Sequence, residues 1–150
     1  MVLSWIATKV IGLLMARNRA GDIRATVALD APDVRLTFPG QNRWSGVFAG
    51  RDAVRRWLEV LVETGVMTYP DQVVAVGPPW KTTICVRGRD HADGPGGERV
   101  YENRFVIWGR MSWGRLKDYE VYEDTHLANE YDRWLAEHRP EVTSELALSG

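Results

Sequence analysis

Apolar residues recur at helical spacing in two stretches of the first 65 residues. Residues 5–20 predict an amphipathic helix, with an apolar face formed by Trp5, Ile6, Val10, Leu13 and Leu14. Gly21-Asp22 predicts the start of a second, short helix, with Asp22 as its N-cap. Residues 50–65 predict a third helix that ends at Gly65, with an inner side formed by Val54, Trp57, Leu58, Leu61 and Val62.

After the third helix the pattern changes to the alternation of apolar and polar residues that is typical of strands. Long strands are predicted at 67–79, 80–90, 98–113 and 115–124. Earlier in the chain, a turn at 31–33 precedes a short strand at 34–38, and residues 41–50 are predicted to form a loop. A last helix is expected at about 125–138, capped by Asp124 or Thr125.

The order of these elements, helices first and strands afterwards, predicts an α+β fold. Four antiparallel strands with three helices against one face would form a curved sheet around a cavity. We expect one domain over residues 1–140 and a loose tail at 141–150.

Composition and charge exclude several classes of function. The net charge is −1 and bases are interspersed with acids, which argues against a nucleic-acid partner. Cys85 is the only cysteine, and His91, His126 and His138 are far apart, so neither a metal site nor a cofactor is expected. The apolar N-terminal stretch lacks the features of a signal peptide, and no segment is long enough to span a membrane. We therefore expect a cytoplasmic protein with no membrane partner.

Seven tryptophans stand out in a chain of 150 residues. They could fill the core or an oligomer interface, or several of them could line an apolar ligand pocket. Trp57 lies on the inner side of the third helix, whereas the loop residue Trp44 suggests a lid or an interface. Trp108, between Arg104 and Arg110, suits a dimer interface.

Several segments of the chain, spread over residues 5–130, resemble a known superfamily. The segment "LTFPGQNRWSGVFAGRDAVRRWLEVL", then a long hairpin with Tyr101-Glu102-Asn103, then "GRLKDYEVYEDT" is similar to the SnoaL-like branch of the nuclear-transport-factor-two-like superfamily. That branch includes polyketide cyclases, ketosteroid isomerases and limonene epoxide hydrolases. The resemblance implies a cone-shaped, cystatin-like antiparallel sheet wrapped around N-terminal helices. It also implies a homodimer through the outer sheet face and a hydrophobic small-molecule ligand.

The acidic segment 114–125 shows how far the resemblance extends to chemistry. Alternation turns Tyr119 and Val121 inward and turns Asp118, Glu120 and Asp124 outward. The resemblance places an essential aspartate of the cyclases and epoxide hydrolases at Val121, and a valine cannot transfer a proton. Glu123 shares the inward face, but it lies near the strand end, where a rim position is expected.

Two further positions that the resemblance marks as catalytic carry no acid either. The isomerase base would lie near Thr37 and Phe38, and the arginine and aspartate of the epoxide hydrolases would fall at Cys85 and Arg87. Periodicity alone buries Ile84 and Val86 and leaves Arg87 in water, whereas the resemblance turns Arg87 into the cavity. An inward Arg87 would pair with an anionic or carbonyl group of the ligand, or with Glu123.

The remaining wall of the cavity is predicted from residues 101–111, where alternate residues form an apolar face. Asn103 is the only strongly polar residue of that face, either as a structural amide or as a ligand partner. The candidate ligand-binding residues are therefore Thr37, Trp44, Trp57, Arg87, Asn103, Phe105, Tyr119 and Val121. No catalytic residue is nominated. The sequence leaves open whether the protein is an isomerase, cyclase or hydrolase on a polyketide- or steroid-like compound, or a non-catalytic protein that binds a hydrophobic ligand or a protein partner.

Overall fold

The structure is a computed structural model that describes residues 1–142. Three helices precede most of the sheet and one follows it: α1 Val2–Arg19, α2 Arg24–Leu29, α3 Arg51–Glu63 and α4 Thr125–His138. The strands are β1 Asp30–Phe38, β2 Gly46–Ala49, β3 Met67–Val76, β4 Thr82–Asp93, β5 Arg99–Ser112 and β6 Arg115–Glu123. A short 3₁₀ turn, Pro140–Val142, follows α4. Most of the predicted tail lies outside the described residues.

The six strands form one curved sheet in the order β2-β1-β6-β5-β4-β3, which confirms the predicted α+β fold. Neighbouring strands are antiparallel except for β1 and β6, which run parallel. The parallel pair places β1 beside β6, the last strand of the chain. Helix α3 packs against β1 at this side of the sheet.

Helix α1 lies against the same face of the sheet as α3, along the edge strand β3. Ser4 Oγ donates to the carbonyl of Ala75 at 3.1 Å and accepts from its N–H at 3.0 Å. Near the other end of the helix, Arg19 Nη1 donates to the carbonyl of Thr68 at 2.6 Å. These bonds satisfy backbone groups that an open sheet edge would leave unpaired.

Four of the sequence predictions for local structure need correction. The predicted turn at 31–33 belongs to β1, where the pairing register shifts between Asp30 and Arg35, and such an irregularity tolerates Pro32. The predicted loop at 41–50 contains β2, which was missed because only four residues pair. The N-cap of α2 is Ile23, although Asp22 Oδ1 accepts from the N–H of Arg24 at 3.2 Å. Finally, β4 continues to Asp93, so His91 lies in a strand and stacks on Tyr69.

The start of α4 agrees with its prediction. Asp124 is the N-cap, and its side chain accepts from the N–H groups of His126 and Leu127. Acceptance of these otherwise unpaired donors stabilises the first turn of a helix. Because Asp124 follows β6 directly, the cap also fixes the direction in which the chain leaves the sheet. Within residues 1–142, no helix is long and apolar enough to cross a membrane.

Candidate functional site

The sheet, α1 and α3 enclose a cavity of about 520 Å³, which is within the range of small-molecule sites. Its walls are mostly aliphatic and aromatic. Five of the predicted site residues lie on these walls and are nearly buried: Trp44, Trp57, Phe105, Tyr119 and Val121. Their inward direction on β5 and β6 agrees with the alternation seen in the sequence.

The two tryptophans of this wall are held by the fold. Trp57 Nε1 donates to the carbonyl of Trp44 at 3.0 Å, and its ring packs against Phe38 at a centroid distance of 5.3 Å. The ring of Trp44 stacks on Tyr131, and only 3% of Trp44 is exposed. Trp44 is therefore a buried wall residue, and the prediction of a lid or interface was wrong.

The other three predicted site residues do not line the cavity. Arg87 is exposed on the outer face of β4, because Ile84, Val86 and Asp90 occupy the inner face. The periodicity was right here, and the register implied by the resemblance was off by one residue. Thr37 also points away, since its neighbours Leu36 and Phe38 are the buried residues of β1.

Asn103 is buried but is a structural amide. Its Nδ2 donates to the hydroxyl of Tyr101 at 3.1 Å and to the carbonyl of Asp124 at 2.9 Å. Its Oδ1 accepts from the N–H of Arg104 at 2.8 Å. With donors and acceptor already bound, Asn103 orients Tyr101 and links it to the cap of α4.

Two acids lie on strands that flank β5, at the end of the cavity farthest from the β5–β6 connection, which we call the deep end. Asp90 is 8% exposed, and its Oδ1 is buried without a hydrogen-bond partner among the described residues. Glu123 reaches the same end from β6, and its Oε1 is likewise buried and unpaired. The Tyr101 hydroxyl donates to Asp90 Oδ2 at 3.5 Å. We call Asp90, Tyr101 and Glu123 the acidic cluster.

Burial changes how these groups ionise. It raises the pKa of Asp90 to about 7, against an opposing effect of the Tyr101 hydrogen bond. Burial also raises the pKa of Glu123 to about 8, and the nearby charges of Asp90 and Asp124 add to the shift. The pKa of Tyr101 lies well above its usual value because of burial and the neighbouring acids. Each carboxyl group is therefore available both protonated and ionised near neutral pH.

The charge of the cavity is one-sided. Within residues 1–142, its lining contains the carboxyl groups of Asp90 and Glu123 but no lysine, arginine or histidine. A cavity of this kind offers no cation to an anionic ligand. The same described residues also contain no group of three or more His, Cys, Asp or Glu side chains that could hold a metal ion.

A third buried acid, Asp30, lies at the start of β1 outside this lining. Both of its carboxylate oxygens are buried and unpaired among the described residues. The guanidinium of Arg51 bonds instead to the carbonyl oxygen of Asp30. Burial raises the pKa of Asp30 to about 7, and the charge of Arg51 partly opposes this shift.

Sequence reasoning missed Asp90 and placed Glu123 at a rim. A signal for Asp90 was present, because the alternation of Thr82, Ile84 and Val86 continues through Gly88 to Asp90. Gly88 itself lies opposite Phe105, and a Cβ there would come within 2.4 Å of that ring. No sequence signal shows that Glu123 is covered, since its burial depends on the curvature of the sheet.

Solved structures similar to this chain agree on its fold. No family model matches the chain, and no curated protein matches it. An NTF2-like protein of unknown function from Burkholderia pseudomallei superposes with a TM-score of 0.69 at 22% identity, covering 83% of this chain and 95% of that one. TerC, co-crystallised with polyporic acid, gives 0.69 at 20% identity, with 84% and 97% covered. An NTF2-like protein from Burkholderia thailandensis gives 0.67 at 21% identity, with 82% and 94% covered.

These similarities show that the chain has the nuclear-transport-factor-two-like (NTF2-like) fold, as the sequence resemblance implied.

Proposed function

We propose that the protein binds an apolar small molecule in the cavity and transfers protons to and from it through Asp90 and Glu123. The observation that carries this proposal is the pair of buried, unpaired carboxyl oxygens in a lining that has no basic residue within the described chain. Buried carboxyl groups are normally paired or hydrogen-bonded, because an unpaired charge is costly. Such unpaired acids in a cavity are typical of groups that act on a ligand.

The proposed ligand is neutral at its polar end, with a carbonyl group directed toward the acidic cluster. The sequence analysis expected an anionic group of the ligand to pair with Arg87. That group is not part of the proposal, because Arg87 lies outside the cavity. A protonated carboxyl group of the acidic cluster can donate a hydrogen bond to a carbonyl oxygen. The apolar walls, including Trp57 and Phe105, favour a hydrophobic body, and Tyr119 and Val121 extend the same surface.

The proposed chemistry is proton abstraction next to that carbonyl group. The ionised carboxylate of one acid accepts a proton from the adjacent carbon, the C–H electron pair forms a carbon–carbon double bond, and the carbonyl oxygen takes up the negative charge of an enolate. The other acid, in its protonated form, stabilises the enolate oxygen by a hydrogen bond. Return of the proton to the same or another carbon regenerates the carboxylate and completes an exchange or an isomerisation. Acids with pKa values near 7 and 8 suit such a step, because catalytic pKa values work best near the operating pH.

Deuterium exchange tests this function without knowledge of the natural substrate. A panel of hydrophobic cyclic ketones is incubated with the protein in D₂O, and incorporation is followed by mass spectrometry. We expect catalysed exchange for at least one ketone, and a loss of about 100-fold or more in Asp90→Asn or Glu123→Gln. Asp93→Asn, an exposed acid of the same strand, is the matched control and should exchange like wild type. Full activity in the Asp90→Asn/Glu123→Gln double variant would contradict the proposal.

A non-catalytic carrier of hydrophobic ligands is the second candidate. It is favoured by Val121, which occupies the position where the resemblance places an essential aspartate. In this case the ketones would quench tryptophan fluorescence on binding but would show no catalysed exchange. The same experiment therefore separates the two candidates.

We also propose that the protein forms a homodimer through the outer face of the sheet. Trp108, Tyr122 and Val74 expose 52%, 54% and 42% of their surface on that face, and aromatic residues are enriched at interfaces. Sedimentation should show a dimer that Trp108→Ser weakens. A monomeric wild-type protein at micromolar concentration would argue against this interface.

A further inference from the structure

The opening of the cavity is bordered by two sets of residues, which we call its lips. The lips expose apolar side chains, whereas the deep end encloses acidic ones. One lip is α1, where Leu3, Ile6 and Val10 line the cavity while remaining partly exposed to solvent. The other lip is formed by two connections, residues 77–81 between β3 and β4 and residues 113–114 between β5 and β6. Ser4 ties the two lips together, because it bonds to Ala75 just before the first of these connections.

The second connection holds a tryptophan in an unfavourable backbone conformation. Ser112 pairs with Arg115, so Trp113 and Gly114 form a two-residue hairpin turn with φ values of 50° and 74°. Asn-Gly is favoured in such turns, because both central residues need positive φ. Bulky residues seldom adopt this conformation, and where they do the strain often marks a functional position.

Most of the surface of Trp113 is exposed to solvent. It exposes 71% of its surface, and Trp80 on the neighbouring connection exposes 60%. The two rings lie 6.0 Å apart, and the N–H of Trp113 donates to the carbonyl of Pro79 at 2.7 Å. The backbone thus holds two large aromatic side chains side by side in solvent.

Helix α1 adds a second apolar surface at the same opening. An exposed stripe runs along its outer side and consists of Val2, Trp5 and Leu13; Ile6 borders this stripe and also lines the cavity. Lys9 lies within the stripe, with its ammonium 5.9 Å from the Trp5 ring centre. We define the rim as Trp80 and Trp113 together with this stripe.

The charge around the rim is positive, although the chain as a whole carries −1. Residues 1–21, 77–83 and 112–116 contain no acidic residue. They contribute the exposed basic residues Lys9, Lys81 and Arg115, and the ammonium of Lys9 lies beside the Trp5 ring. Tryptophan combined with lysine or arginine beside an apolar helix face is typical of surfaces that lie in the interface of an anionic bilayer.

We propose that the rim docks on the surface of an anionic lipid bilayer, so that apolar ligands pass between the membrane and the cavity. Sequence neighbours of the rim residues, namely Leu3, Pro79 and Gly114, line the cavity, and ligands that fit its apolar walls partition into membranes. Positive charge at the rim complements anionic headgroups. This departs from the sequence-based expectation that no membrane takes part. It does not depend on proton transfer by Asp90 and Glu123.

Vesicle flotation tests the docking. Wild-type protein is mixed with phosphatidylcholine vesicles, with or without about one third phosphatidylglycerol, at low and high salt. We expect binding to the anionic vesicles that falls with salt, and a loss of about tenfold or more in the Trp80→Ser/Trp113→Asn double variant. Trp113→Asn alone suits the turn better than tryptophan does, so a folded single variant is expected, with a loss of about threefold.

Val47→Ser is the control, because Val47 is an apolar residue that exposes 53% of its surface on β2, at the opposite edge of the sheet from β3. It should bind vesicles like wild type. Equal binding by wild type and the double variant would overturn the proposal, as would equal binding to neutral and anionic vesicles. Self-association through the rim, abolished in the double variant and without any vesicle binding by wild type, would identify a second copy of the chain as the occupant and also overturn it.

Discussion

The two ends of the cavity leave opposite kinds of group without a partner: buried polar atoms at one end and exposed apolar side chains at the other. At the deep end, Asp90 and Glu123 keep polar atoms buried without a partner among the described residues. At the opening, Trp80 and Trp113 keep large apolar surfaces in water. Either arrangement lowers the stability of the isolated chain. The comparison suggests that each end is arranged for something outside the chain, a polar group of the ligand at one end and an apolar surface at the other.

The largest effect should come from removing the acids of the deep end. A carboxyl group whose pKa is raised by folding binds its proton more tightly in the folded than in the unfolded state. The stability it contributes is therefore complete at low pH and falls as the pH rises from its unfolded value to about 7 for Asp90 or about 8 for Glu123.

The stability of wild type relative to Asp90→Asn or Glu123→Gln should therefore fall by up to about 4 kcal/mol between pH 4 and about pH 9. Denaturant unfolding between pH 4 and about pH 9 measures this difference. Asp93→Asn is the exposed control. If the stability difference between each variant and wild type does not change with pH, neither acid has a raised pKa and the deep end is not unusual.

Asn103→Ala tests whether the deep end is positioned by the amide. The change removes the bonds to the Tyr101 hydroxyl and the Asp124 carbonyl, and it should destabilise the protein by about 1–3 kcal/mol. In the ketone assay it should also lower exchange, with rescue by Asn103→Gln only in part because of the longer side chain. A loss of stability with unchanged exchange would assign Asn103 to the fold alone.

Trp113→Asn tests the opening of the cavity and should stabilise the protein. Relief of the positive φ should raise the free energy of unfolding by about 1 kcal/mol, a gain visible as a higher Tm. Trp108→Asn, in an extended strand, should give no such gain. A Tm for Trp113→Asn below that of wild type would mean that the Trp80–Trp113 contact outweighs the backbone strain.

Arg87→Ala should have the smallest effect and checks the corrected direction of β4. Because Arg87 is exposed on the outer face, affinities for neutral and acidic ligands should both change by less than about twofold. Fluorescence titration with matched ketone and carboxylate ligands measures this. A selective loss of affinity for the acidic ligand would mean that Arg87 faces the cavity, in the register implied by the resemblance.

Much of the fold was predictable because it depends on local periodicity. The helical spacing of 50–65 and the alternation from 98 to 124 identified α3, β5 and β6, and with them the inward residues Phe105, Tyr119 and Val121. The Asp124 cap was also predictable, since capping involves only neighbouring backbone groups. The parallel pairing of β1 with β6 was not, because it joins residues more than 80 positions apart.

The sequence by itself determined the α+β order of elements, the NTF2-like resemblance and the apolar walls of the cavity, since these follow from residue type and short-range spacing. Only the tertiary structure decided which polar residues the walls enclose. Curvature of the sheet covers Glu123 at a strand end, β4 turns Asp90 in and Arg87 out, and two hairpin connections bring Trp80 and Trp113 together. Burial and ionisation depend on contacts between distant segments, so the candidate chemistry and the proposed rim are visible only in the folded chain.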